Sequence, residues 1–344
     1  MRVFGLLIGA AIAVAGAADA GAQESDLARR AVAEHIRPGY AAFAAAAETL
    51  IAPAEACDAD RLRAAFHAGF DAWLRIEHIA FGPVEQGDRR FAILFWPDPK
   101  GHTPRGLKRL EENADPVVDD PDAFAKRSIA VRGFGALERL LFEADEPRDF
   151  AGDGGDYRCR LALAIARDLS RTASAVAAEW NAPEGIARAL TRPGSDPAFQ
   201  SDADVRRALF KSLDGGLEKI SAMRLGRPLG TFERPRPRRA ETWRSGRSMR
   251  NVREALAGLE RYYAVAFART LDEAAAARLT AAFARTRAVA ERTPDDMRAL
   301  SRDPQARFRV EALQSRVREL QRLVRKQVAP ALGVAAGFNA LDGD

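Results

Sequence analysis

The sequence predicts an all-α protein made of two helical-bundle domains with long irregular loops. Its 344 residues are enough for two domains, and 47% apolar with 29% charged residues is ordinary for a globular protein. Alanine and arginine dominate, whereas tyrosine, isoleucine and threonine are sparse, which favours helices over sheets. Apolar residues also recur at helical spacing, as at Leu62, Phe66 and Phe70.

Capping residues and helix breakers place the helices of the first half. Asp58 is a good N-cap for the helix that carries the stripe Leu62, Phe66, Phe70, and Gly82-Pro83 ends it. Asp120-Pro121 begins another helix that we expect to continue to Phe142. The helices predicted in this half cover residues 27–51, with a kink or break at Pro38-Gly39, and residues 58–81, 120–142 and 157–180. Residues 84–104, rich in aromatics and closed by prolines, are predicted to form a loop that is packed under another element or lines a pocket.

The second half repeats this organisation. Its predicted helices cover residues 204–223, 247–267, 272–292 and 305–326, and a non-helical tail begins at Gly333. We expect an N-terminal domain over 23–182, a linker over 183–203 and a C-terminal domain over 204–344.

Residues 1–22 have the pattern of a cleavable signal peptide. Arg2 precedes an apolar run from Val3 to Ala18, and small residues at Ala18, Ala20 and Ala22 fit A-x-A cleavage. The run is too short for a membrane-spanning helix. We therefore expect export to the periplasm.

Cys57 and Cys159 are the two cysteines of the chain. An oxidising compartment favours a disulfide between them over two separate buried thiols. Closing a loop of this length stabilises a fold by about 4–5 kcal/mol in the chain-entropy model.

Positive charge is concentrated between Arg224 and Arg253, a segment that contains ten arginines and two acidic residues, Glu233 and Glu241. Export and the lack of an aromatic stacking motif argue against a nucleic-acid partner. A solvated or ion-paired arginine surface is the simpler interpretation. An anion-binding cleft is the alternative.

Several motifs, in order, resemble imelysin-like proteins. They are Asp71-Ala-Trp73, Phe81-Gly-Pro83, Phe95-Trp-Pro-Asp98, Gly133-Phe-Gly-Ala-Leu-Glu138, Arg224-Leu-Gly-Arg-Pro-Leu-Gly230, Ser245-Gly-Arg-Ser-Met-Arg-Asn251 and the closing Gly337-Phe-Asn-Ala-Leu-Asp-Gly-Asp344. The resemblance implies two helical-bundle domains in an envelope protein linked to iron uptake. Some members of that family carry a peptidase label.

The chain departs from the family motif Gly-x-His-x-x-Glu at its histidine. Gly133 and Glu138 match, but Gly135 occupies the histidine position. In the family motif, His and Glu three residues apart share one helix face and can meet one ion. The resemblance therefore implies an altered site; a divalent or ferric ion, if bound through this motif, would have Glu138 as its ligand.

The residues that we expect at a ligand site are Glu138, Gly135, Trp96, Asp98, Glu77 and Arg247. Glu138 is surrounded by apolar helix neighbours, so its carboxylate either binds a ligand or forms a buried ion pair with an arginine. Glu77 borders an apolar stripe and is expected to join Glu138 across a bundle core. His67, Asp71 and His78 form either a metal site or, more simply, a solvated helix face.

These observations favour a non-enzymatic periplasmic binding protein with a ligand cleft between two helical bundles. The expected partner is a small ligand or metal ion, with other envelope proteins as a further option. A metal-dependent peptidase is one alternative, although neither H-E-x-x-H nor G-x-S-x-G occurs. A structural envelope protein without a ligand is the other.

Overall fold

The structure, a computed structural model, describes residues 26–143, 146–150, 154–295, 297–301 and 303–335, without the side chains of 146, 147 and 301. The predicted signal peptide, residues 1–22, lies outside the described residues, as does the tail beyond residue 335. In the described ranges, no helix combines the length and the apolar character needed to cross a membrane.

Helices make up nearly all the regular structure, and the all-α prediction is confirmed. In the first half the α-helices are α1 Arg37–Glu48, α2 Ile51–Glu55, α3 Ala59–Leu74, α4 Arg89–Ile93, α5 His102–Glu112, α6 Pro121–Ala125, α7 Gly133–Leu141 and α8 Gly155–Asn181. In the second half they are α9 Ile186–Thr191, α10 Asp202–Glu218, α11 Arg227–Leu229, α12 Ser248–Tyr262, α13 Glu273–Glu291 and α14 Pro304–Ala331. A short antiparallel pair, β1 Phe142–Glu143 and β2 Glu146–Pro147, follows α7.

Wider and tighter helical turns extend several of these helices. The π-helical segments are Ala31–Ile36 before α1, Lys219–Gly226 after α10 and Tyr263–Phe267 after α12. The 3₁₀ segments are Gly82–Asp88, Pro116–Asp119, Ile129–Val131, Pro237–Arg239, Ala268–Thr270 and Met297–Ser301.

The predicted cap of α3 is present, because the side chain of Asp58 accepts a hydrogen bond from the Arg61 amide at 3.0 Å. Pro38, in contrast, does not break its helix. It occupies the first turn of α1 after a π-helical turn, a position where proline is tolerated.

Two other predictions of local structure are wrong. The expected helix 120–142 is interrupted, because Arg132 is extended and Gly133 has φ +64°, and α7 starts there in a new direction. A Cβ at Gly133 would lie 2.1 Å from the carbonyl oxygen of Ala92, so glycine is required for this approach. The expected loop 84–104 contains α4 and the start of α5.

Helices α3 and α12 join the two halves of the chain. The two pack against each other, and α12 also contacts α10 and α13. A Cβ at Gly258 of α12 would lie 2.4 Å from the carbonyl oxygen of Arg75, which shows how closely α12 approaches the end of α3. The apolar core is continuous through this junction. The domain boundaries 23–182, 183–203 and 204–344 stay a prediction.

Cys57 and Cys159 form the predicted disulfide, with their Cα atoms 5.4 Å apart. The bond ties the residues just before α3 to the first turns of α8, 102 residues further along the chain. It therefore closes a long loop around most of the first half.

Candidate functional site

A cleft of about 490 Å³ lies where α7 faces the arginine-rich segment between α11 and α12. One wall is the segment 94–99 with the first turn of α5. The opposite wall is the segment 238–244. Its lining includes Trp96, Asp98, Thr103, Gly135, Glu138, Arg139, Arg227, Arg238, Arg239, Glu241, Trp243 and Arg244. Four of the six residues predicted for a ligand site are thus brought together.

Glu138 is the buried carboxyl group of this cleft, with 5% of its surface exposed. Its Oε1 accepts hydrogen bonds from the amide of Ser245 at 2.9 Å and from the Ser245 hydroxyl at 2.8 Å. Burial raises the pKa of Glu138, although the bonds from Ser245 and the charges of Arg244 and Arg139 act in the opposite direction. The carboxyl group thus meets a residue of the second half across the cleft.

Gly135 lies one helical turn before Glu138 and leaves an open position in the cleft. A Cβ at Gly135 would meet only the carbonyl oxygen of Phe95, at 3.5 Å, which is ordinary van der Waals contact. Packing therefore does not require glycine here, and the absent side chain enlarges the space beside Glu138.

Asp98 has a structural task in addition to its place in the cleft. Its two carboxylate oxygens accept the amides of His102 and Thr103, each at 2.8 Å, and so cap the start of α5. Burial acts to raise the pKa of Asp98, but these hydrogen bonds outweigh it and lower the pKa. Both oxygens of this carboxylate are therefore already used by the protein.

Five arginines line the cleft: Arg139, Arg227, Arg238, Arg239 and Arg244. The guanidinium groups of Arg238 and Arg244 lie 5.5 Å and 4.2 Å from the centre of the Trp243 ring. Among the described residues, no carboxylate forms an ion pair with Arg139, Arg227, Arg238 or Arg239. Burial lowers the pKa of Arg227, and the neighbouring charge of Arg239 adds to this effect.

Glu77 does not line the cleft, and its predicted contact with Glu138 across a core is not formed. Its side chain is buried between Lys219, whose Nζ is 2.7 Å from Oε2, and Arg224. Burial acts to raise the pKa of Glu77, but Arg224 and Lys219 outweigh it and lower the pKa to about 2. Glu77 is thus a fully compensated carboxylate.

Arg247 also lies outside the cleft lining, at the junction of α3 and α12. Its Nε donates to Asn251 Oδ1 at 2.7 Å, and its Nη2 forms an ion pair with Asp71. Its guanidinium lies 4.6 Å above the Phe70 ring. Burial lowers the pKa of Arg247 to about 10, with Asp71 opposing the shift.

Glu77 and Arg247 belong to one chain of buried polar contacts. Arg224 donates to the two oxygens of Glu241 at 2.7 and 3.1 Å, and Asn251 donates to Glu241 at 2.7 Å. We call this set the junction network; it consists of Lys219, Glu77, Arg224, Glu241, Asn251, Arg247 and Asp71.

The helix face of His67, Asp71 and His78, predicted to be solvated, instead packs against the second half. His67 contacts Arg247, and burial followed by that charge lowers the pKa of His67 to about 4. His78 Nε2 is 2.9 Å from His35 Nε2, and both rings contact Tyr262. In the part of the chain that the structure describes, no three His, Cys, Asp or Glu residues form a metal-binding group.

The sequence did not single out Ser245, Trp243 or the individual cleft arginines. The cluster from Arg224 to Arg253 was the available signal, and it indicated the region. It did not separate Arg224, buried in the junction network, from Arg227 in the cleft.

Comparisons with known proteins agree with this architecture. The model of the imelysin family, also named peptidase M75, matches residues 31–324. Iron-regulated protein A of Synechococcus elongatus is 26% identical over 237 residues, covering 66% of this chain and 60% of that protein. The chain therefore spans about 60% of the length of this relative.

Two solved structures have the same fold. An imelysin-like protein from Psychrobacter arcticum aligns with a TM-score of 0.74 at 21% identity, covering 92% of this chain and 98% of the other. A candidate iron-regulated protein A precursor from Parabacteroides distasonis aligns with a TM-score of 0.73 at 14% identity, covering 88% and 94%.

Proposed function

The chain belongs to the imelysin family, and from this premise we propose that it is a periplasmic binding protein with an iron-related role. Its ligand occupies the cleft between α7 and the segment 238–244. The observation that carries the proposal is that a buried carboxyl group, Glu138, lies in one concave site with Arg139, Arg227, Arg238 and Arg239, which form no ion pair with a described carboxylate.

The connection with iron is supported by the names of two relatives, iron-regulated protein A and the iron-regulated protein A precursor. Iron is here the cargo. The lining of the cleft includes the Glu138 carboxyl group and the side chains of Trp96 and Trp243. Such a site is suited to holding and releasing a small complex.

A metal-dependent peptidase is the second candidate, favoured by the family name peptidase M75. That activity requires a metal or nucleophile set close to the cleft. Among the carboxyl groups of the cleft, Asp98 accepts two backbone amides and Glu241 accepts hydrogen bonds from Arg224 and Asn251. Glu138 is therefore the carboxyl group that could contact a metal ion or substrate. A casein-hydrolysis assay with zinc or iron, with and without a chelator, tests this candidate directly.

Isothermal titration calorimetry with ferrous chloride under anaerobic conditions and with ferric citrate tests the binding function. We expect one of these forms of iron to bind at one site per chain. Gly135→Phe places a ring in the cleft and should abolish the heat of binding. Ala64→Phe, which adds the same ring at an exposed position of α3, is the matched control.

A chain that binds neither form, and whose melting temperature neither form changes, would instead be the structural envelope protein of the third alternative. Localisation is tested separately: the mature protein recovered by osmotic shock should begin after Ala20 or Ala22. A mature protein that retains Arg2 would contradict export by this route.

A further inference from the structure

Four arginines of the cleft differ in their pairing from two half-buried arginines elsewhere in the described chain, Arg132 and Arg325. Buried or half-buried arginines such as Arg132 and Arg325 hold Asp168 and Asp214 with two hydrogen bonds each. Arg139, Arg227, Arg238 and Arg239 form no ion pair with a described carboxylate, although they line one cavity. Arg139 and Arg227 are half-buried, and Arg238 and Arg239 are exposed at the same concave surface. Positive charges gathered in this way, with few carboxylates beside them, favour the binding of an anion.

The carboxyl groups of the cleft offset only part of this positive charge, with Glu138 and Asp98 acting on Arg139. Asp98 accepts two helix amides, and Glu241 accepts hydrogen bonds from Arg224 and Asn251. Glu138 remains, held by Ser245, and its burial disfavours the charged form. The lining thus has five arginines against three carboxyl groups, two of which are occupied. Arg139, Arg227, Arg238 and Arg239 form no ion pair with a described carboxylate, so a negatively charged ligand would complement them.

A bare metal cation does not fit this environment. Iron in either oxidation state needs several anionic or imidazole ligands, and the described residues contain no group of three His, Cys, Asp or Glu that could supply them. Five guanidinium groups would also repel a cation. An anion with planar carboxylate groups or with phosphate groups fits the fork of the guanidinium group.

We propose that the cleft binds a small, multiply charged oxyanion through Arg139, Arg227, Arg238 and Arg239, and that iron enters it as an anionic chelate. This inference rests on the proposed binding function and specifies its ligand class. The volume of about 490 Å³ is that of a small-molecule site, large enough for a metal bound by two small polycarboxylates. The Trp243 ring lies against the guanidinium groups of Arg238 and Arg244 in the lining.

Calorimetric titration of the full mature chain tests the inference with four probes: citrate, ferric citrate, pyrophosphate and anaerobic ferrous chloride. We expect ferric citrate to bind, together with citrate or pyrophosphate, and the affinity to fall as salt is raised. Whether citrate or pyrophosphate binds more tightly distinguishes carboxylate from phosphate recognition. Ferrous chloride should give no heat of binding.

A pair of double variants locates the effect. The double variant Arg227→Gln with Arg239→Gln should weaken the binding of the anions by at least about tenfold. Each substitution removes a hydrogen bond between charged groups, and such bonds contribute strongly to binding. Arg234→Gln with Arg236→Gln removes the same charge from exposed positions of the same segment that do not line the cleft. This control should change the affinity by less than about threefold. The melting temperature shows that both double variants fold.

The outcomes separate this inference from the proposed function. Binding of ferrous ion without binding of any anion would overturn the inference and leave the binding function standing. Binding of citrate but not ferric citrate would uphold the anion site and overturn the role in iron binding. Equal weakening in the two double variants would overturn the inference, because the attraction would then be non-specific. If none of the four probes bound, both proposals would fall.

Discussion

The cleft and the junction network contain arginines of the same short stretch of sequence, but these arginines differ in whether a carboxylate pairs with them. In the junction network Arg224 is 2% exposed and lies between Glu77 and Glu241. In the cleft, Arg227 lies three residues later and has no carboxylate partner among the described residues. Compensated charge holds two halves of a protein together, whereas uncompensated charge in a concave site is available for a ligand.

Arg224→Met should have the largest effect on stability, because it leaves two buried carboxylates without their main partner. We expect a loss of about 3–5 kcal/mol in the free energy of unfolding, as for other broken buried ion pairs. Urea denaturation at pH 7 measures it. Arg227→Met is the matched control and should change the same quantity by less than about 1 kcal/mol. Equal losses in both variants would mean that the two regions do not differ as described.

Acid should destabilise the packing around the buried pair His35 and His78. Burial lowers the pKa of His35 and His78, that of His78 to about 3, so the folded state keeps both imidazoles neutral while the unfolded state takes up protons below about pH 6.5. Their stabilising contribution is therefore complete above pH 6.5 and is lost as pH falls toward 3. Between pH 7 and pH 5 the loss from His78 should be about 2 kcal/mol, and His35 acts in the same direction.

Denaturation at pH 7 and pH 5 measures this dependence in the wild type and in the double variant His35→Phe with His78→Phe. The double variant should lose much less stability on acidification, although His67 still contributes, since its pKa is also lowered, to about 4. His102→Gln, at an exposed position, serves as the control. An unchanged pH dependence in the double variant would show that the histidine pair is not responsible.

Glu138→Gln should have a small effect on stability, which sharpens the contrast with Arg224. The amide and hydroxyl of Ser245 can donate to the glutamine oxygen, and a buried group whose pKa is raised loses an unfavourable charge at pH 7. We expect the melting temperature to be unchanged or slightly higher. A loss of 3 kcal/mol or more would instead identify Glu138 as half of a buried ion pair.

Gly135→Ala is expected to give the smallest change. The methyl group has room at 3.5 Å from the Phe95 carbonyl oxygen, and alanine is favoured over glycine in a helix. The free energy of unfolding should rise by about 0.5–1 kcal/mol. Thermal denaturation against the wild type measures the gain. A decrease would mean that α7 needs glycine at this position for packing.

The sequence by itself determined the helical class, the cap at Asp58 and the one possible disulfide, because each depends on local pattern or on simple counting. It also placed Trp96, Asp98, Gly135 and Glu138 in a candidate site, through motifs whose order resembles a known family. Local pattern failed at Gly133, where contact with the distant residue Ala92 decides that the helix turns.

Only the tertiary structure decided which charged residues are compensated. Glu77 and Arg247 were predicted at the ligand site together with Glu138. In the structure, Glu77 instead pairs with Lys219 and Arg224. Arg247 contacts Asp71 and Asn251. These partners are far apart in the chain, except for Arg247 and Asn251. An ion pair depends on distances of a few ångströms between such residues and on the water excluded around them. Composition records how many arginines are present, and the fold determines which of them are left for a ligand.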